Sequence, residues 1–215
     1  AATYAKLIGP HGERSEFIRA MEMLNLPGTD NIRASLLTGT VGILGQVAGN
    51  ATAIVSVYSD QTTTGKSLSI IAVNSLIGKP KELFLNKQDS ANAFYGIRGT
   101  LNSLPCCLDE VTVADDEAMA DMAYTLSSGR EKITMTKDRE LRKPATWCGP
   151  THMSSNYSLY NKFENARSGN DPLKARCLEF HQHDRLFVAT REDGLSNGSD
   201  FFALLEKNNG WAFPE

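Results

Sequence analysis

The chain has 215 residues, of which 41% are hydrophobic and 22% are charged. These proportions are typical of a globular protein, and they exclude a disordered tail and a small disulfide-stabilised scaffold. The net charge of −3 excludes a wholly basic nucleic-acid-binding protein but leaves room for a local basic patch. No apolar run reaches the ~18 residues that a membrane-spanning helix needs.

The first half of the chain predicts helices around one buried strand. Residues 1–34 form the expected helical lead-in, and apolar side chains recur at helical spacing within 16–24. Residues 35–48 predict a buried helix interrupted by glycines. The run 53–58 is β-branched and apolar on both faces, which is typical of a strand inside a parallel sheet. A polar loop separates it from an apolar helix expected at 68–77.

The second half alternates between strand and helix patterns. Further strands are predicted at 83–85, 105–108, 146–153 and 175–180. Further helices are predicted at 90–101, 115–127 and 200–207. This alternation predicts an α/β fold of three layers around a mainly parallel sheet, with residues 35–215 as its core.

The strongest single motif is Thr64-Gly65-Lys66-Ser67, which lies between a predicted strand and a predicted helix. It matches the end of the phosphate-loop pattern G-x-x-x-x-G-K-S/T. In that pattern backbone N–H groups cradle phosphates, the lysine reaches the β- and γ-oxygens, and the hydroxyl binds Mg²⁺. Asp60 replaces the first glycine, so an exposed turn that caps a core helix stays open as the alternative. The predicted nucleotide-binding residues are Thr62, Thr63, Thr64, Gly65, Lys66, Ser67 and Leu68.

Two adjacent carboxylates, Asp109 and Glu110, end the apolar run 105–108. Ligands of parallel nucleotide-binding sheets lie beyond the carboxyl ends of the strands. We therefore expect Asp109 to join Ser67 in a Mg²⁺ site, and Glu110 to orient or deprotonate the attacking water. A solvated turn at the end of a strand is the simpler alternative.

Two polar residues in the second half of the chain, Asn156 and Arg176, lie next to apolar runs. Asn156 follows the run 146–153, where it can hydrogen-bond the attacking water or a γ-phosphate; asparagine is also a common turn former. Arg176 lies at the start of the run 175–180. An arginine there can reach a phosphate across a subunit interface, and an ordinary salt bridge is the competing interpretation.

Residues 131–143 alternate in polarity and are rich in cations, which predicts a β-hairpin with Lys137 and Arg139 near its tip. Together with Lys132, these cations are suited to the phosphate backbone of a nucleic acid, a contact that reads no sequence. A hairpin that is merely solvated explains the same pattern.

In this order, the motifs resemble the helicase-type ATPase modules of phage and plasmid primase–helicases, related to superfamily 3 helicases within the AAA+ class. The resemblance covers residues 35–210 and rests on SDQTTTGKS, NAFYGIRGTLNSLPCCLDEVT, YTLSSGREK, TWCGPTHMSSNYSL and KARCLEF. It implies an AAA+-like P-loop NTPase core with an inserted β-hairpin. By this resemblance Lys66 and Ser67 belong to Walker A, Asp109 and Glu110 to Walker B, Asn156 is sensor 1 and Arg176 is the arginine finger.

The resemblance also implies ATP and Mg²⁺ as cofactors, and a homo-oligomeric ring, expected to be a hexamer, on single-stranded or forked DNA. The expected function is a helicase that acts in the replication of a phage or other mobile element, in the cytoplasm of the bacterial host and away from membranes. Two other functions stay open. One is a packaging or remodelling ATPase that does not unwind DNA, and the other is a degenerate nucleotide-binding scaffold, which Asp60 favours.

Overall fold

The computed structural model describes residues 2–48, 52–86, 91–111, 115–135, 141–166, 171–183, 185–187 and 197–212. The strands within them are β1 (Ile54–Tyr58), β2 (Phe84–Asn86), β3 (Cys106–Asp109), β4 (Thr151–Ser155) and β5 (Cys177–His181). The helices are α1 (Ala2–Ala5), α2 (Arg14–Glu22), α3 (Asp30–Ala48), α4 (Lys66–Ser75), α5 (Ala91–Leu101), α6 (Asp116–Ser127), α7 (Leu159–Asn165), α8 (Asp171–Lys174) and α9 (Asn197–Lys207). A 3₁₀ turn, Met23–Asn25, follows α2.

The described strands form one sheet in the order β2-β3-β4-β1-β5, and every neighbouring pair is parallel. This confirms the predicted α/β fold with a parallel sheet. Because all strands run the same way, their carboxyl ends share one edge. β4 lies between β1 and β3, so whatever follows β4 lies between the loops that follow the other two strands. This order positions the candidate site.

Helices cover both faces of the sheet, as alternating side chains show. His152 of β4 contacts Thr38 of α3, and Cys107 at the same register of β3 contacts the backbone of Ile70 in α4. Glu179 of β5 lies one register position further along the strands than His152, and it accepts hydrogen bonds from the start of α7. Successive side chains of a strand point to opposite faces. Therefore α3 and α4 lie on one face and α7 lies on the other.

Local sequence explains where the central elements form. Ile54, Val55 and Val57 of β1 are fully buried, as expected of a strand that is flanked on both sides and covered on both faces. The side chain of Asp115 accepts a 2.7 Å hydrogen bond from the backbone N–H of Ala118, which caps α6. Pro150 has no N–H to donate to a neighbouring strand, and β4 starts only after it, at Thr151 rather than at the predicted residue 146.

The prediction of a buried helix at 35–48 is wrong in one respect. α3 begins earlier, at Asp30, and its side chains Leu37, Val41 and Leu44 are exposed. These three residues recur at helical spacing, so they form one outward stripe while the opposite side packs on α4 and β1. The expected domain boundary between residues 34 and 35 falls inside this helix.

The two sides of the predicted hairpin, residues 129–135 and 141–147, are antiparallel and form an arm between α6 and β4, whereas its predicted tip lies outside the described residues. Met135 bridges Leu141, Arg130 bridges Thr146, and further backbone hydrogen bonds join residues 129–134 to 142–147. None of the helices among the described residues combines the length and the apolar character needed to cross a bilayer.

Candidate functional site

The loop between β1 and α4 ends on a glycine in the left-handed region of backbone conformation. Gly65 has a φ of 98° and immediately precedes α4, whose first residue is Lys66. This left-handed conformation is disfavoured for residues with a Cβ, which explains the glycine. A Cβ at Gly65 would also lie 2.4 Å from the side chain of Leu186, whose backbone N–H donates to the Thr64 carbonyl at 3.1 Å. Leu186, which follows β5, therefore packs against this loop.

The ammonium group of Lys66 is held at the centre of the loop. It donates to the carbonyl oxygens of Ser59 at 2.9 Å and Gln61 at 3.0 Å, and to Oδ1 of Asn156 at 2.7 Å. These three bonds use all three donors of an ammonium group. An anion that bound in the loop would therefore replace one or more of these oxygens as acceptor.

A hydroxyl and a carboxylate lie in contact beside this lysine. The hydroxyl of Ser67 donates to Oδ1 of Asp109 at 3.0 Å, and the same oxygen accepts a hydrogen bond from Ser154. A hydroxyl and a carboxylate are the kind of ligand that Mg²⁺ prefers, with substrate phosphates completing the coordination. Ser67 and Asp109 fit that metal by type and by proximity.

Glu110 occupies the turn directly after β3. Its Oε1 accepts a 3.0 Å hydrogen bond from Nδ2 of Asn156, and its backbone N–H donates to the Ser154 hydroxyl at 3.2 Å. Its φ of 55° is left-handed, which is uncommon for a residue with a side chain. Asn156 thus joins the carboxylate of Glu110 to the amine of Lys66.

The structure therefore brings together five residues that the sequence predicted for one site: Lys66, Ser67, Asp109, Glu110 and Asn156. Their contact follows from the sheet order, because Asn156 follows β4 and β4 separates β1 from β3. Their chemical roles stay predictions.

The other predicted loop residues surround this set. Thr62 and Thr63 are exposed, whereas Thr64 is buried and its hydroxyl has no hydrogen-bond partner within the described residues. Leu68 is half-buried and packs on the hydrophobic core. Asp60, the residue that departs from the phosphate-loop pattern, is exposed.

Beside the loop, burial and nearby charges shift the pKa values of two residues, Tyr58 at the end of β1 and Glu179 in β5. The ring of Tyr58 stacks on that of His181 with centroids 4.4 Å apart. Partial burial, followed by the carboxylates of Glu179 and Asp60, raises the pKa of Tyr58. Burial also raises the pKa of Glu179, although hydrogen bonds from Ser158 and the backbone at the start of α7 oppose it.

Arg176 does not join the site of its own chain. It precedes β5 and is therefore at the amino edge of the sheet, opposite to Lys66. Its guanidinium lies 5.8 Å from the ring centre of Tyr124, and the residue is exposed. A role in the site of a neighbouring subunit stays a prediction.

The predicted DNA-binding cations are described only in part. Lys132 lies on the arm, where its ammonium is 3.1 Å from a carboxylate oxygen of Asp121, and both side chains are largely exposed. Lys137 and Arg139 lie outside the described residues. The described residues of the arm include three exposed apolar side chains, Ile133, Met135 and Leu141.

One residue in the site was missed by sequence reasoning. Ser154 contacts both Asp109 and Glu110, and it is buried at the end of β4. It precedes Asn156 by two positions, at the carboxyl end of β4. That spacing was the available signal, but serine is too common in strands to single out without the structure.

The fold is shared with solved structures of larger proteins. One, described as "SCCmec type IV Cch - active helicase", is 20% identical with a TM-score of 0.68, and the match covers 94% of this chain and 36% of that one. Another, the A form apo structure of the NrS-1 C terminal region, is 13% identical with a TM-score of 0.50, and the match covers 97% and 48%. This chain thus spans less than half the length of either structure. At such identities the likeness concerns the fold.

A comparison with curated proteins gives no match. Residues 1–146, more than half of the chain, match the family described as "Domain of unknown function (DUF927)". The chain therefore belongs to the DUF927 family.

Proposed function

We propose that this chain is the ATP-hydrolysing module of a DNA helicase that acts in the replication of a phage or other mobile element. The observation that carries the proposal is the connected set of side chains at the carboxyl edge of the sheet. Lys66 contacts Asn156, Asn156 contacts Glu110, and Ser67 contacts Asp109. A lysine, a hydroxyl, two carboxylates and an amide are the groups that phosphoryl transfer from a nucleotide requires.

Each group has a defined task in this proposal. Lys66 exchanges its loop carbonyls for oxygens of the β- and γ-phosphates, while backbone N–H groups at the start of α4 hold the same anion. Ser67 and Asp109 hold Mg²⁺, which supplies charge neutralisation when bound. Because the transferred group needs little covalent chemistry, positioning and electrostatic stabilisation supply most of the catalysis.

Glu110 is the proposed base, and Asn156 is the residue that holds it. The 3.0 Å bond from the Asn156 amide fixes one carboxylate oxygen, so the other can accept a proton from water. Asn156 also accepts a hydrogen bond from Lys66. Binding of a γ-phosphate to Lys66 would therefore change the contacts of the residue that orients the base.

The helicase part of the proposal is supported by the fold and by the arm. The fold is shared with a structure described as an active helicase. The arm carries the exposed Lys132, and the sequence between its two described sides contains Lys137 and Arg139, cations suited to a DNA backbone. A superfamily 3-like ring, in which Arg176 reaches the site of a neighbour, is the assembly that this proposal adopts.

Phosphate release, measured with and without single-stranded DNA, tests the hydrolytic step. Lys66→Ala should abolish turnover, whereas Lys79→Ala should leave it unchanged, because Lys79 pairs with Glu82 away from the loop. Glu110→Gln should bind ATP but hydrolyse it about 100-fold more slowly, the usual scale for loss of a general base. Turnover by Lys66→Ala at the rate of the unmodified chain would overturn the proposal.

Strand displacement separates the helicase from its two rivals. A helicase releases a labelled strand from a forked duplex in the presence of ATP. A packaging or remodelling ATPase releases phosphate but not the strand. A scaffold binds nucleotide and releases no phosphate at any DNA concentration; the acid at Asp60 is the feature that favours it.

A further inference from the structure

A single buried hydroxyl, that of Ser154, links the two carboxylate residues of the candidate site. Ser154 lies in β4 and is 2% exposed. Its hydroxyl donates to Oδ1 of Asp109 and accepts from the backbone N–H of Glu110 at 3.2 Å. A hydroxyl has one proton, so donation to Asp109 commits it and leaves a lone pair for Glu110.

The contact with Asp109 fixes the direction of that carboxylate. Oδ1 accepts one hydrogen bond from the hydroxyl of Ser154 and another from the hydroxyl of Ser67. Side chains that hold a metal ligand in one orientation raise the affinity for the metal, and their loss commonly weakens binding 10- to 100-fold. Ser154 comes from the neighbouring strand, so the rigid sheet supplies this orientation.

The contact with Glu110 fixes the backbone from which that side chain starts. Glu110 adopts a left-handed conformation, with φ of 55°, that persists only where its surroundings impose it. The bond from its N–H to Ser154 is part of that constraint, and the bond from Asn156 holds the other end of the residue. Loss of the Ser154 hydroxyl would free the backbone end alone.

We infer that Ser154 is a positioning residue that sets the metal-binding carboxylate of Asp109 and the backbone of Glu110 together. The inference rests on the proposed function of this site. Ser154 touches neither nucleotide nor metal in this arrangement; it acts through the two acidic residues.

The test compares Ser154→Ala with Ser56→Ala. Ser56 lies in the adjacent β1, is equally buried, and its hydroxyl has no hydrogen-bond partner in the described part of the chain. Phosphate release is measured over a series of Mg²⁺ concentrations. Ser154→Ala should raise the half-saturating Mg²⁺ concentration about 10-fold and lower kcat about 10-fold, while Ser56→Ala should change neither. Ser154→Thr, which keeps the hydroxyl, should restore the metal dependence.

A second measurement does not require activity. Amide hydrogen exchange at Glu110 should become at least about 10-fold faster in Ser154→Ala, because the N–H loses its acceptor, and should stay unchanged in Ser56→Ala. If Ser154→Ala does not fold, Ser154→Cys keeps the side chain unbranched but replaces the hydroxyl by a larger thiol that donates and accepts weakly, and it should show the same two defects.

The outcomes separate this inference from the proposed function. Wild-type Mg²⁺ dependence and kcat in Ser154→Ala, in a chain that hydrolyses ATP, overturn the inference alone. Absence of ATP binding and hydrolysis by the unmodified chain overturns the proposed function. If the unmodified chain neither binds nor hydrolyses ATP, unchanged amide hydrogen exchange at Glu110 in Ser154→Ala would overturn the positioning role as well. Faster exchange in that variant would uphold the structural part of the role.

Discussion

His152 should make the protein sensitive to mild acid. The residue lies in the middle of the sheet and is fully buried, with Nε2 3.0 Å from the hydroxyl of Thr38. Burial, with a smaller contribution from the nearby cation of Arg98, lowers the pKa of His152 from 6.5 to about 3. The folded protein therefore keeps this imidazole neutral at a pH at which the unfolded chain protonates it.

The sign and size of the effect follow from that difference. Below pH 6.5 the unfolded state binds one proton more than the folded state, so the free energy of unfolding falls as the pH falls. The loss is about 1.4 kcal/mol per pH unit and ends near the folded pKa of about 3. Between pH 7 and pH 5 it amounts to about 2 kcal/mol, a large part of the stability of an ordinary domain.

Urea unfolding at several pH values between 7 and 5 measures this loss. His152→Gln removes the titrating group and keeps a polar side chain, so its free energy of unfolding should depend less on pH than that of the unmodified chain. His183→Gln serves as the control, because His183 is exposed. A pH dependence of His152→Gln that equals that of the unmodified chain would refute the assignment of the acid sensitivity to His152.

Four further substitutions test the packing and the site. A Cβ at Gly42 would lie 2.3 Å from the backbone oxygen of Ser103, whereas one at Gly96 meets nothing within 4 Å. In urea unfolding, Gly42→Ala should therefore cost about 2 kcal/mol or more and Gly96→Ala should stabilise by about 0.5–1 kcal/mol; equal effects would contradict the close approach. Arg98→Met should lower the free energy of unfolding by about 3 kcal/mol or more, because three backbone carbonyls lose a charged donor and only that of Asn102 keeps backbone donors among the described residues. A melting temperature close to that of the unmodified chain would contradict this. Asn156→Ala should lower phosphate release about 100-fold and leave nucleotide affinity within about 3-fold, as equilibrium binding would measure; an unchanged rate would remove its proposed role.

Much of the candidate site could be predicted because its signals are local. Gly65 and Lys66 stand between a β-branched run and an apolar helix, and Asp109 and Glu110 end another apolar run. The glycine of a loop, the lysine after it and the carboxylates at the end of a strand can each be recognised from the few residues around them. The structure joins Lys66 to Glu110 through Asn156, and Asp109 to Ser67, although the roles of these residues stay predictions.

Other features could not be predicted because they depend on what packs against them. The sequence of α3 is apolar on most sides, yet only the structure shows that Leu37, Val41 and Leu44 face outward. Arg98 looks like a surface cation of α5, but it is fully buried and donates to backbone carbonyls, one of them that of Gly149 before β4. Burial and partner choice are decided between elements distant in sequence.

By itself, the sequence determined the alternation of strands and helices and the polar residues that end each strand, because periodicity and chain-local chemistry encode both. Only the tertiary structure decided that β4 lies between β1 and β3. That order brings Ser154 and Asn156 between the lysine loop and the two acids, and pairing between strands about 40 to 100 residues apart is not written in any local pattern.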